Sequence, residues 1–221
     1  MKSERRGTLV LLACHGVYDA QRDCFYAEHP EDRPVYESQL VYALNHLRWR
    51  ADASALLVIS GGQTKRERAC SEARSYLDLA AALGLEVPEN VALEEYSLTS
   101  VENVLLSLYV YHLRTGRFPE RIECVSWEFK RERFQRALQA ISDWPPLAEK
   151  WAELYFFPVG DLAAEQRARA LEVEKGYIDS LKIGLDAYYQ NAETQAVLRR
   201  RDVYSSREAA RKFFAAYPLP F

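Results

Sequence analysis

The chain has 221 residues, 48% of them hydrophobic and 28% charged, with a net charge of −3. That length suits one α/β domain with appendages or two small domains, and it can bury a sizeable core. The faintly acidic balance excludes a generally basic surface of the kind that binds nucleic acid or an anionic membrane. Cys14, Cys24, Cys70 and Cys124 show no Cys-x-x-Cys spacing. They read as reduced thiols of a cytoplasmic protein.

The amino-terminal stretch Met1-Lys-Ser-Glu-Arg-Arg6 is basic and precedes an apolar run, which imitates a signal peptide. The run is short and meets His15-Gly16 rather than a small-residue cleavage site, so it is read as a strand. No apolar segment reaches the ~20 residues of a membrane helix, and no membrane span is expected.

Thr8–Cys14 is the first strand, with His15 just past its end. Residues 17–34 carry Asp19, Asp23, His29 and two prolines without periodicity, and read as a long, functional loop. Val35–Trp49 is helical, with Tyr36, Leu40, Ala43, Leu44 and Leu47 as its apolar stripe. Ala55–Ile59 is a buried strand closed by Ser60-Gly61-Gly62, a turn that lets a ligand approach the backbone. A helix follows from Ser71 to Leu83, and Gly84 stops it.

Val91–Glu94 is a short strand. Thr99 and Glu102 match a capping box that opens an apolar helix running to about residue 114. Arg121–Trp127 and Leu154–Val159 are further strands, and Pro158 marks the last as an end or an edge. Strand and helix alternate to residue 160, which predicts an α/β domain over 1–160 with a mainly parallel sheet between helical layers. Residues 161–221 read as a helical extension: 162–189, 193–201 and 205–217, the last opened by a second capping box, Ser205-x-x-Glu208. The aromatic tail is expected to pack back on the domain.

The helix after Trp127 carries the most specific argument. Its stripe is Phe134, Ala137, Leu138 and Ile141, and one turn back along it stand Lys130 and Arg133. Two cations at a helix N-terminus oppose the dipole but suit an anion. The competing reading pairs them with Glu128, Glu132 or a carboxylate across the crevice. The Ser60-Gly61-Gly62 loop is a second candidate cradle, with Lys65 either part of it or merely solvated. Glu72, Glu95, Glu102 and Asp19 are candidate acids, bases or ligands for magnesium or manganese. Capping explains Glu102 equally well. His15 sits at a strand's carboxyl end, where sites form. Asn103 lies on an otherwise apolar helix and needs a specific partner.

Four items in order resemble the SanA/YdcF-like family, domain of unknown function 218. They are the strand ending Ser60-Gly61-Gly62, then Ser71-Glu72-Ala73, then Glu95-x-Ser97-x-Thr99-x-x-Glu102-Asn103, then Ser126 with Arg133 at a helix start. The resemblance covers residues 8–160 and is closest to a soluble, fungal-type branch. It implies a Rossmann-like three-layer fold with its site at the sheet's carboxyl edge, a link to cell-envelope and lipid-carrier metabolism, and, from one bacterial member, S-adenosylmethionine binding. Lys130 stands where bacterial relatives often place a histidine, and Ala13-Cys14-His15-Gly16 replaces a Gly-rich turn.

Three functions follow as expectations. The first is hydrolysis of a phosphoester or pyrophosphate in a small or lipid-linked ligand. Glu72, Glu95, Glu102 and His15 would then be catalytic, and Ser60, Gly61, Gly62, Asn103, Lys130 and Arg133 would bind phosphate. The second is nucleotide or S-adenosylmethionine binding, with methyl transfer. The third is non-catalytic protein binding by the C-terminal helices.

Overall fold

Strand β1, Thr8–Ala13, is buried on both faces, so six apolar or small residues run without a polar break. Leu9 and Leu11 join one hydrophobic layer, while Val10 and Leu12 join the other. The computed structural model describes residues 7–27, 29–50, 54–148 and 152–221. The basic stretch Met1–Arg6 lies outside the described residues.

After β1 come the short strands β2, Gly16–Asp19, and β3, Cys24–Ala27, and then helix α1, Arg33–Trp49. Strand β4 is Leu56–Ser60, helix α2 Glu72–Ala82, strand β5 Val91–Glu94 and helix α3 Ser100–Thr115. Strand β6, Arg121–Ser126, leads through a 3₁₀ turn at 128–130 into helix α4, Arg131–Ser142, and then strand β7, Glu153–Pro158. The C-terminal helices are α5 Ala164–Ile183, α6 Leu185–Gln190, α7 Ala192–Arg201 and α8 Ser206–Phe213.

The main sheet has the order β5-β4-β1-β6-β7, and every pair is parallel. Helices α1 and α2 cover one face, and α3 and α4 the other. This is a Rossmann-like three-layer sandwich. Because the chain starts at the centre and works outward in both directions, the order reverses between β1 and β6. Crevices form at that switch point, beyond the strands' carboxyl ends. Strand β7 is an edge, with Pro158 as its last residue.

The C-terminal helices share a buried cluster with α3. Tyr188, Leu198 and Phe214 belong to it, and the Tyr109 hydroxyl donates to the Pro218 carbonyl at 2.6 Å. This cover explains why α3 is apolar on nearly every side. Among the described residues, no helix is long and apolar enough to cross a membrane.

Three expectations change. Residues 16–27 are a hairpin rather than an open loop, with Val17 paired to Tyr26 and Tyr18 to Phe25. Its turn uses Asp23 at φ 49°. The expected helix 162–189 is broken at Gly184, whose φ of 135° is costly for a residue with a Cβ. The Ser205 box does not form: Ser205 is left-handed at φ 54°, and its side chain caps nothing.

At the amino edge of the sheet, Glu123 on β6 is fully buried. Arg50 Nη1 donates to both its oxygens at 2.6 Å, His46 Nε2 is 2.7 Å away, and Arg121 completes the cluster. Burial opposes ionisation. The His46 hydrogen bond and the Arg50 and Arg121 charges outweigh it, and hold the carboxyl below its ordinary 4.5. Glu123→Ala would strand these cations, and urea denaturation is expected to show a loss of about 3–5 kcal/mol. The wild-type contribution should be full above pH 4.5 and vanish as pH falls through the depressed folded value.

Candidate functional site

His15 emerges from β1 directly at the switch point. Its Nδ1 lies 3.0 Å from Lys130 Nζ, and its Nε2 lies 3.4 Å from Ser126 Oγ at the end of β6. When Lys130 is an ammonium it has no acceptor, so it donates and His15 Nδ1 accepts, and in that state the imidazole proton is on Nε2, toward Ser126. Burial, then the charges of Lys130, Arg133 and Arg201, push His15 well below its ordinary 6.5. The ring is therefore neutral at pH 7.

Lys130 is pushed down to about 7 from 10.5. Burial is the main cause, followed by the charge of Arg133. Arg201 adds to it, while Glu174 and Glu72 pull the other way. An amine poised near neutrality is suited to give and take a proton.

Arg133 Nε stands 3.0 Å from Glu174 Oε2, and its guanidinium lies 5.3 Å from the Tyr177 ring centroid. Glu174 is a buried residue of α5. Of the carboxylates weighed as partners for these cations, Glu128 pairs with Arg131 and Glu132 with Arg136 instead. The partner for Arg133 comes from α5, which packs against α4. Arg201, at the end of α7, brings a third cation and donates to the Leu98 carbonyl at 2.9 Å. Neither Arg201 nor Glu174 carries a local sequence signal.

The glycine loop is built differently from the expected cradle. The Gly61 amide donates to the Glu94 carbonyl at 2.9 Å, and the Gly62 amide to the Ser97 carbonyl at 2.8 Å. The Gly62 and Gly61 carbonyls in turn accept from the Glu72 and Ala73 amides at the start of α2. A Cβ at Gly62 would lie 2.6 Å from the Ser97 carbonyl oxygen, and one at Gly61 would lie 2.8 Å from Glu72 Cβ. The glycines permit close backbone packing, and their amides are already spent.

Ser60 and Asn103 are likewise scaffold. Asn103 Nδ2 donates to Ser60 Oγ at 2.8 Å and to Ser97 Oγ at 2.7 Å. Ser60 Oγ donates to Glu94, which also accepts the Tyr96 and Ser97 amides at 2.7 and 2.9 Å. Asn103 thus has its specific partners, and they belong to the protein. Glu94 was not singled out from the sequence. An acidic residue ending an otherwise apolar strand was the available signal.

The three candidate catalytic carboxylates do not converge. Glu95 accepts from Ser71 Oγ at 2.8 Å and pairs with Arg74 at 3.0 Å. Glu102 is fully buried under the start of α3, where its Oε2 accepts the Leu98 amide at 2.7 Å. Thr99 caps the helix by accepting the Glu102 amide. Asp19 binds turn amides and Arg68 at 3.3 Å. Only Glu72 shares the crevice: it accepts from Thr64 Oγ1, and its charge acts on both Cys14 and Lys130. Among the described residues, no three His, Cys, Asp or Glu side chains are grouped to hold a metal ion. The residues present do not fit a protein-built magnesium or manganese cage. No family model, no curated protein and no solved structure matches the chain.

Glu102 gives a pH test. Burial raises it from 4.5 to about 7, and its Oε1 is buried without a hydrogen-bond partner. The folded state keeps a proton that the unfolded chain releases, so stability is greatest below pH 4.5 and falls as pH rises toward 7. The fall should reach about 3 kcal/mol at most. Glu102→Gln mimics the protonated carboxyl, and chemical denaturation across this range is expected to show the fall removed.

Proposed function

We propose that the crevice binds a phosphate-bearing molecule and hydrolyses its phosphoester or pyrophosphate bond. One observation carries the reading. Lys130, Arg133 and Arg201 crowd a neutral histidine at the switch point, with Glu174 as the only carboxylate paired to any of them among the described residues. Like charges held together in a half-buried crevice raise the free energy of the empty site, and a bound anion relieves it.

In this reading Arg133 and Arg201 hold the phosphoryl oxygens and stabilise charge that grows on them. The oxygen of a water molecule bonds to phosphorus as the bond to the leaving oxygen breaks. The electron pair departs with the leaving oxygen, which takes a proton from Lys130. The attacking water's proton passes to Glu72. His15 accepts the Lys130 hydrogen bond and fixes the ammonium in place. The ordered motifs shared with the SanA/YdcF-like family fall on this same edge, and membership of that family is part of the proposal.

A nucleotide or S-adenosylmethionine site needs a free carboxylate at a strand end for the ribose hydroxyls. Glu94, at the end of β5, is consumed by Ser60 and two backbone amides. This favours the phosphate reading.

Inorganic phosphate is expected to raise the melting temperature of the wild type, and Lys130→Met to abolish the rise. Phosphate release from pyrophosphate or a phosphoester should drop by about a hundredfold or more in the same variant. Arg133→Lys, which retains a charge for Glu174, should keep the fold and weaken phosphate binding. Stabilisation by S-adenosylmethionine with no response to phosphate would sink the reading.

A further inference from the structure

A second group of cations lies beside the crevice. Residues Thr64–Glu67, between β4 and α2, face Arg200 and Arg201 of α7 across an open cleft of about 310 Å³. The cleft holds Lys65, Arg66, Arg200 and Arg201 against one carboxylate, Glu67. The whole chain is net negative at −3, so this concentration runs against its average. Among the described residues, no ion pair involves Lys65, Arg66, Glu67 or Arg200.

Arginines in the last turn of α7 complement its dipole, which accounts for that wall alone. It does not explain why Lys65 and Arg66 oppose them. Two facing cationic walls repel unless an anion lies between them. The cleft also joins the crevice at two points. Arg201 lines it while acting electrostatically on His15 and Lys130. Thr64 lines it while donating to Glu72, whose charge reaches Lys130.

We infer that this cleft is a second phosphoryl subsite, and that the ligand carries two linked phosphoryl groups. The inner phosphoryl lies on Lys130 and Arg133, the outer one lies between Lys65 and Arg200, and Arg201 bridges them. This rests on the phosphate reading of the crevice and narrows it to a diphosphate. The cleft has room for one phosphoryl group and part of whatever it is attached to.

The test is calorimetric titration of the full chain with inorganic phosphate, inorganic pyrophosphate and ADP. Pyrophosphate should bind the wild type about tenfold or more tightly than phosphate, the margin expected of added charge-assisted hydrogen bonds. The double variant Lys65→Ala/Arg200→Ala should lose that margin and keep its phosphate affinity. Arg200 is exposed and neither residue has an ion-pair partner among the described residues, so the melting temperature should hold. Binding of ADP with the same sensitivity would identify an esterified diphosphate. Exclusion of ADP beside tight pyrophosphate would identify the free ion. Equal affinity for phosphate and pyrophosphate in the wild type, or equal weakening of both in the double variant, would overturn the subsite. If Lys130→Met leaves phosphate binding intact while the double variant abolishes pyrophosphate binding, the inner site fails and the cleft stands alone. No binding of any of the three sinks both.

Discussion

Glu94 has no contact with solvent, and the carboxyl edge of β4 and β5 is assembled around it. Burial raises its pKa, while hydrogen bonds from Ser60, Ser97 and two amides work against the shift. A buried carboxyl with so many donors fixes their positions, because losing any one leaves a desolvated acceptor. Ser60 fixes the end of β4, Ser97 the approach to α3, and Asn103 ties both to the helix. The glycines that follow Ser60 let the loop lie against Ser97 and Glu72. Their carbonyls then satisfy the first amides of α2. With those amides consumed, this helix start offers an anion little.

The two ends of the sheet invert one another. At the amino edge a single buried carboxylate, Glu123, is held by Arg50, Arg121 and His46, and the balance is structural. At the carboxyl edge Lys130, Arg133 and Arg201 lie together, and among the described residues only Arg133 has a carboxylate partner, Glu174. The same residue types are charge-matched at one edge and left in cationic excess at the other. Perturbed groups cluster at sites for this reason. Burial is the largest cause of the shift at Lys130, His15, Glu94 and Glu102 alike, and at Lys130 and His15 the charges of Arg133 and Arg201 act in the same direction as burial.

The layers, the parallel sheet and the edge position of β7 were legible because apolar runs and helical stripes are local signals. Lys130 and Arg133 were legible for the same reason, as an extension of the α4 stripe. The hairpin of residues 16–27 was missed because its four-residue strands are too short for periodicity to separate from loop. The intramolecular partners of Ser60, Gly61, Gly62 and Asn103 were not legible, because polar residues at a strand end look alike whether they bind a ligand or one another. Only the fold shows that Asn103 is spent on Ser60 and Ser97. Arg201 and Glu174 lay beyond reach, since their contacts join segments far apart in the chain.

Those two residues change what the C-terminal helices mean. Helix α5 supplies the counter-charge of Arg133, and α7 supplies the cation common to crevice and cleft. Leu181 and Leu198 anchor the same helices in the cluster around α3. The extension therefore lines the cleft as well as covering an apolar helix. Its packing energy is what holds Arg201 against the repulsion of Lys130 and Arg133. A shift of α7 would move one cation away from crevice and cleft together, so the charge of both depends on how tightly Tyr188, Leu198 and Phe214 are packed.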